Sequence, residues 1–155
     1  MRAWGLKKCA KGLVMSEFKL KENELESLCR LLKDSLHNGD IVLLQGSIGS
    51  GKTTFVRHFV ESFGQEAQVS SPTFSLALSY ENAQYGSIHH YDIYRKDVQE
   101  MLELGLLDML MREGVHFIEW GEEKLKNLLA HNGFKVATIT ITPTPTHHRI
   151  YEVCL

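Results

Sequence analysis

The chain is poor in cysteine, in proline and in unbroken apolar stretches, and each shortage excludes something. Its three cysteines, Cys9, Cys29 and Cys154, are odd in number, far apart and form no C-x-x-C. That argues against a disulfide framework and against a zinc site. A reducing cytoplasm is the compartment such usage predicts. No apolar run is long enough to cross a bilayer, so no membrane role is expected. The formal net charge is −2, which leaves no overall basic bias toward nucleic acid. There is no internal repeat and no low-complexity tract. The three prolines stand at 72, 143 and 145, where they punctuate turns and strand ends.

What remains is a chain of 155 residues, a length that predicts one domain with a substantial core. Its charge is unevenly placed. Residues 1–14 carry Arg2, Lys7, Lys8 and Lys11 and no acid. They lack the continuous apolar segment of a secretory signal, so they are read as a flexible basic extension ahead of a domain spanning 15–155. Met15 offers an alternative translation start.

The densest information lies in Gly46–Thr54, which reads GSIGSGKTT and fits G-x-x-x-x-G-K-[ST] at Gly46, Gly51, Lys52 and Thr53. The glycines let the backbone fold around a phosphate chain. Lys52 is placed to reach the β- and γ-phosphates, and the Thr53 hydroxyl to hold Mg²⁺. The context agrees. Ile41–Leu44 reads as a buried strand before the loop. Residues 52–63 read as a helix after it, whose N-terminus adds its dipole to the anion site. A nucleoside triphosphate with Mg²⁺ is the ligand this predicts.

Hydrophobic periodicity supplies the other elements. Phe18 and Leu20 suggest a short leading strand. Leu25, Leu28, Cys29, Leu32 and Leu36 form one stripe of a helix over 22–36. Strands are predicted over 74–80 and 85–91, joined as a hairpin through residues 81–84. A helix over 97–112 breaks at Gly105. A short strand, 115–118, ends at Glu119, and a helix over 122–131 follows. A strand over 135–142 stops at the prolines, and residues 149–153 form a last strand. The fold class is therefore α/β, a single-domain phosphate-loop sandwich around a mixed, partly antiparallel sheet.

A phosphate loop needs a carboxylate near Mg²⁺ and a group to place water. Glu119 ends the apolar run Val115–Ile118, as the acid of a Walker B strand does, with Trp120 directly after it. Asp92 follows the strand Ile88–Tyr91; it contacts Mg²⁺ through water, orients a switch loop, or is a structural acid paired with Arg95. Thr73, in Ser71-Pro72-Thr73-Phe74, offers a switch hydroxyl. The histidines come in adjacent pairs, His89-His90 and His147-His148. Neighbours on a strand point to opposite faces, so a shared metal is not expected and a structural or solvated role is.

Together GSIGSGKTT, SPTFSL, HYDIYR and IEW resemble the bacterial TsaE family, formerly called YjeE, in the right order and at compatible spacing from about Glu22 onward. The resemblance implies a compact ATPase with a mixed sheet that supports threonylcarbamoyladenosine formation in tRNA beside the anticodon. It implies slow, partner-dependent ATP hydrolysis, with partners like TsaB and TsaD; tRNA is engaged through that complex. On this chain the family loop maps onto Gly49, Ser50, Gly51, Lys52, Thr53 and Thr54. Thr53 maps as a Mg²⁺ ligand, Glu119 as the Walker B acid, His90 and Asp92 as an H-x-D motif, and Thr73 as the switch threonine. Adenine contacts are implied near Lys21–Asn23 and Pro143–Arg149.

Three other readings share the loop. A small-molecule kinase needs a lid rich in arginine, and only Arg95, Arg112 and Arg149 follow the loop helix. A GTPase needs N-K-x-D and D-x-x-G, and both are absent. A nucleotide-gated adaptor without significant turnover needs no hydrolytic carboxylate, and Glu119 speaks for one.

Overall fold

The computed structural model describes residues 7–8, 14–64, 66, 69–70, 72 and 76–155. In chain order these form β1 (Lys7–Lys8), β2 (Val14–Leu20), a 3-10 turn (Glu22–Glu24), α1 (Glu26–Ser35), β3 (Ile41–Gln45), α2 (Lys52–Glu61), β4 (Ala77–Asn82) and β5 (Gly86–Asp92). They continue with α3 (Val98–Glu103), α4 (Leu106–Leu110), β6 (Val115–Glu119), α5 (Glu123–His131), β7 (Val136–Pro143) and β8 (Arg149–Cys154). All strands join one sheet, in the order β1-β2-β8-β7-β3-β6-β5-β4. The middle of the sheet, β7-β3-β6-β5, is parallel. Antiparallel pairs flank it on both sides, β4 with β5 and the run β1-β2-β8-β7. The fold is thus a mixed α/β sheet, as the alternation of sequence patterns predicts.

Strand β3 explains the layering. It is buried along Ile41–Leu44, as a central parallel strand covered on both faces must be. Successive side chains alternate. Val42 and Leu44 pack with α1 and α2, through Leu28, Leu32, Phe55 and Phe59. Ile41 and Leu43 pack with α3, α4 and α5, through Met101, Leu106, Leu125 and Leu129. Phe59 anchors the first cluster, its ring centroid 4.8 Å from Phe117 and 5.4 Å from Phe63. Because β3 and β6 run the same way, their carboxyl ends lie side by side, and Leu44 stands opposite Glu119. Ligands of open α/β sheets bind outside such ends.

Local signals account for most boundaries. Asp97 caps α3 by accepting from the Glu100 amide at 2.8 Å, and the chain breaks at Gly105 between α3 and α4. Two elements differ from expectation. The helix expected from residue 22 begins with a 3-10 turn and becomes α-helical at Glu26. The strand expected over 74–80 runs over Ala77–Asn82, with Phe74 outside the described residues. Its hairpin tip is displaced because Asn82 Oδ1 accepts from the amides of Gln84 and Tyr85, at 2.9 and 3.1 Å, and builds the turn from its own side chain.

Of the expected extension over 1–14, Lys7–Lys8 and Val14 are described, in the β1–β2 pair; the remainder lies outside the described residues. Cys29 is free and buried, and burial pushes its thiol up to about 12. Cys154 is disulfide-bonded, where the sequence argues against a disulfide framework. Among the described residues no helix is long and apolar enough to cross a membrane.

Candidate active site

The loop after β3 turns tightly because its glycines allow it. A Cβ on Gly46 would lie 2.5 Å from Ser50 Oγ and 2.6 Å from the Ile141 carbonyl, so no side chain fits there. Gly51, with φ at 103°, is in the left-handed region and leads straight into α2. Its open side faces the Arg149 side chain, whose Nε lies 3.1 Å from where a Cβ would be.

Lys52, the first residue of α2, is 4% exposed. Its ammonium donates to the carbonyls of Gly46 and Ser47, at 2.8 and 3.0 Å, and sits 3.7 Å from the Trp120 ring centroid. Burial holds this lysine below its ordinary range, while the carboxylates of Glu119 and Asp92 pull the other way. All three groups therefore share one electrostatic neighbourhood.

Glu119, the last residue of β6, is 3% exposed. Its Oε1 accepts from the Thr53 hydroxyl at 2.6 Å and lies 2.7 Å from His90 Nε2. Asp92 is registered opposite Glu119 across the β5–β6 pair, and its Oδ1 accepts from the Tyr94 amide at 3.0 Å. Trp120 has φ at 67°, an uncommon conformation for a large residue. Its amide donates to the Leu44 carbonyl at 2.9 Å, and its ring lies 4.7 Å from that of Tyr94.

These groups line a cavity of about 360 Å³. Gly49, Gly51, Lys52, Thr53, Thr54 and Glu119 were all expected there and are brought together. Ser50, also expected, is fully buried under the loop, with its Oγ 3.4 Å from Lys52 Nζ. Asp92 stands beside Glu119 rather than on the cavity lining. Thr73 lies outside the described residues. The cavity also takes in Ile48, Tyr94 and Arg149, to which spacing assigned no role.

The histidine pairs are expected in a structural or solvated role, and the resemblance sets His90 in an H-x-D motif. His90 is completely buried and touches the Glu119 carboxylate. Strand parity contains the signal: His90 stands two residues before Asp92 and so shares its face. Tyr94 and Arg149 come from a loop and a distant strand, and no periodicity points to them.

The donor set suits a magnesium triphosphate. The Thr53 hydroxyl and the Glu119 carboxylate are hard oxygen groups, the kind Mg²⁺ prefers, and Mg²⁺ draws its remaining ligands from water and phosphate. Lys52 holds a full positive charge against neutral carbonyls, and Arg149 Nε is buried with no partner among the described residues. Both cations are compatible with an anionic ligand in the cavity.

Comparison with known proteins gives a consistent result. The family model described as "Threonylcarbamoyl adenosine biosynthesis protein TsaE" matches residues 20–150. A Rickettsia felis protein named tRNA threonylcarbamoyladenosine biosynthesis protein TsaE is 42% identical over 110 residues, covering 70% of this chain and 63% of its own length. A Bacillus subtilis protein of the same name is 31% identical over 127 residues, covering 77% of this chain and 79% of its own. The crystal structure of YdiB from Bacillus subtilis superposes with a TM-score of 0.67 over 92% of this chain and 86% of that one. At 21% sequence identity, that likeness speaks for the fold alone.

Proposed function

This chain belongs to the TsaE family, and we propose that it is an ATP-binding and ATP-hydrolysing subunit supporting threonylcarbamoyladenosine modification of tRNA. The observation that carries the catalytic part is the Thr53–Glu119 contact at 2.6 Å, beside a buried Lys52. It joins a loop hydroxyl to a strand-end carboxylate, which a nucleotide adaptor without turnover does not need.

In this reading Gly49 to Thr54 wrap the phosphates of ATP. Lys52 gives up its loop carbonyls and neutralises the β- and γ-phosphates. Thr53 and Glu119 hold Mg²⁺, directly or through its water. When bound, Mg²⁺ withdraws charge from the phosphate oxygens. Asp92 orients the water shell or the segment after β5, and Thr73 serves as the switch hydroxyl. Among the described residues the site offers no arginine finger, and Arg149 approaches from the loop side, at Gly51. Little is therefore fixed to stabilise charge on the transferring phosphoryl group, and turnover by the chain alone is slow. Partners resembling TsaB and TsaD complete the site by ordering its edge, and tRNA is engaged through them. The cytoplasm is the compartment this function requires.

Phosphate release at matched ATP and Mg²⁺ tests this. The isolated chain should bind ATP, turn over slowly, and accelerate clearly when a TsaB–TsaD complex is added. Lys52→Ala should remove ATP binding or hydrolysis while the fold stays intact. Rapid turnover without partners and no response to them, or unchanged activity in Lys52→Ala, would overturn the assignment.

A further inference from the structure

His90 is a fully buried histidine, matched to an H-x-D motif by resemblance but given no contact by it, and it makes one of the two hydrogen bonds that the Glu119 carboxylate receives from the described residues. We propose that His90 is a positioning residue: it fixes the Glu119 carboxylate against Thr53 so that its free oxygen serves Mg²⁺. The inference rests on the nucleotide reading above and assigns a further member of that site.

The geometry runs through a single atom. An ionised carboxylate can only accept, so both partners of Glu119 Oε1 donate: the Thr53 hydroxyl at 2.6 Å and His90 Nε2–H at 2.7 Å. Two donors on one oxygen leave the other carboxylate oxygen to the cavity that Glu119 lines. With Thr53 alone, the carboxylate would pivot about one bond. With His90 as well, its plane is held from a helix on one side and a strand on the other. The strand register makes this possible. β5 and β6 are parallel with Asp92 opposite Glu119, and His90 lies two residues back on the same face, opposite Phe117.

The other ring nitrogen supports the same reading. His90 Nδ1 is buried with no partner among the described residues. A histidine serving only the core normally satisfies both nitrogens, because an orphaned buried polar atom is costly. Here that cost is tolerated for the sake of one bond to one carboxylate. Nε2 carries a proton, because its partner Glu119 Oε1 only accepts.

Two isosteric choices separate positioning from packing. In His90→Gln the side-chain amide reaches the place of Nε2 and still donates to Glu119. In His90→Asn it stops near Nδ1 and does not. Mg²⁺-free nucleotide affinity should be equal in both variants and in the unaltered chain. Turnover, and the gain in nucleotide affinity that Mg²⁺ brings, should fall about 10- to 100-fold in His90→Asn and be largely retained in His90→Gln, the range typical of partners behind a metal ligand. In the nucleotide-free unaltered chain, ring ¹⁵N resonances should show a proton on His90 Nε2, with that resonance moving in Glu119→Gln. Equal behaviour of the two variants, whether both intact or both impaired, overturns the proposal, as does a His90 Nε2 that carries no proton. If the unaltered chain shows no Mg²⁺-dependent nucleotide binding, the functional reading itself fails, and this inference with it.

Discussion

His89 and His90 are chain neighbours on β5, yet they belong to different kinds of interior. On the α3–α5 face, His89 has both ring nitrogens engaged: Nδ1 with the Ser79 hydroxyl at 2.7 Å and Nε2 donating to the Glu113 carbonyl at 2.9 Å. Its ring stacks on His116 at 4.6 Å. His116 is satisfied in the same way, by the Tyr91 hydroxyl at 2.9 Å and the Arg112 carbonyl at 3.0 Å. On the α2 face, His90 satisfies one nitrogen and leaves the other without a partner among the described residues. The first arrangement pins the segment before β6 to the sheet. The second gives up a hydrogen bond to hold a carboxylate. Within this pair, the fully satisfied ring belongs to the structural cluster and the half-satisfied ring to the site.

Substitutions on the two faces should therefore be read out differently. The largest effect is expected on the α2 face. Glu119→Gln keeps the shape, and its amide oxygen can still accept from Thr53 and His90, but the charge is gone. Phosphate release should fall about 10²- to 10³-fold, the scale of losing one electrostatic contact to a reacting group. The melting temperature should hardly move. A matching loss of stability and activity would erase the distinction between the faces.

The next effect is acid lability from the α3–α5 face. Burial, and secondarily the neighbouring His89, lowers His116 from 6.5 to about 4. The unfolded chain thus takes up this proton at a higher pH than the folded one. The contribution is fully present above about pH 6.5, is lost progressively as pH falls, and levels off below about 4. Its size is on the order of 3 kcal/mol. Denaturant unfolding across that window should show the slope in the unaltered chain and a shallower one in His116→Phe. Identical slopes would remove His116 from the account.

The smallest effect sharpens the contrast most. Tyr91→Phe removes the hydroxyl that serves His116 Nδ1 and leaves a buried acceptor unpaired. A loss of about 1–2 kcal/mol in unfolding free energy is expected, with ATP binding and turnover unchanged. A change in turnover would mean that the two faces of β5 are coupled.

Much of this molecule is legible along the chain. The phosphate loop, β3 before it and α2 after it follow from glycine spacing and one apolar run. The break at Gly105 and the cap at Asp97 are local, as is the alternation of Ala137, Ile139 and Ile141 in β7, all three of them buried. Glu119 at the end of a short apolar strand is readable for the same reason. Other features are not local. The displacement of β4 depends on Asn82 folding onto its own turn. The place of β2 beside β8 joins residues far apart in sequence and leaves no periodic trace. Arg149 reaches Gly51 only because β8 pairs antiparallel with β7, next to β3.

The sequence by itself determined the phosphate loop, the flanking elements and the candidate carboxylates, because backbone conformation and periodicity are set within a few residues. Only the tertiary structure decided which side chains meet. The parallel register of β5 with β6 sets Asp92 opposite Glu119, and it brings His90 to the same face as Thr53 while sending His89 to the other. That choice rests on hydrogen bonds between strands whose paired residues lie 27 apart, where a slip of one residue would exchange the faces of every side chain on the strand.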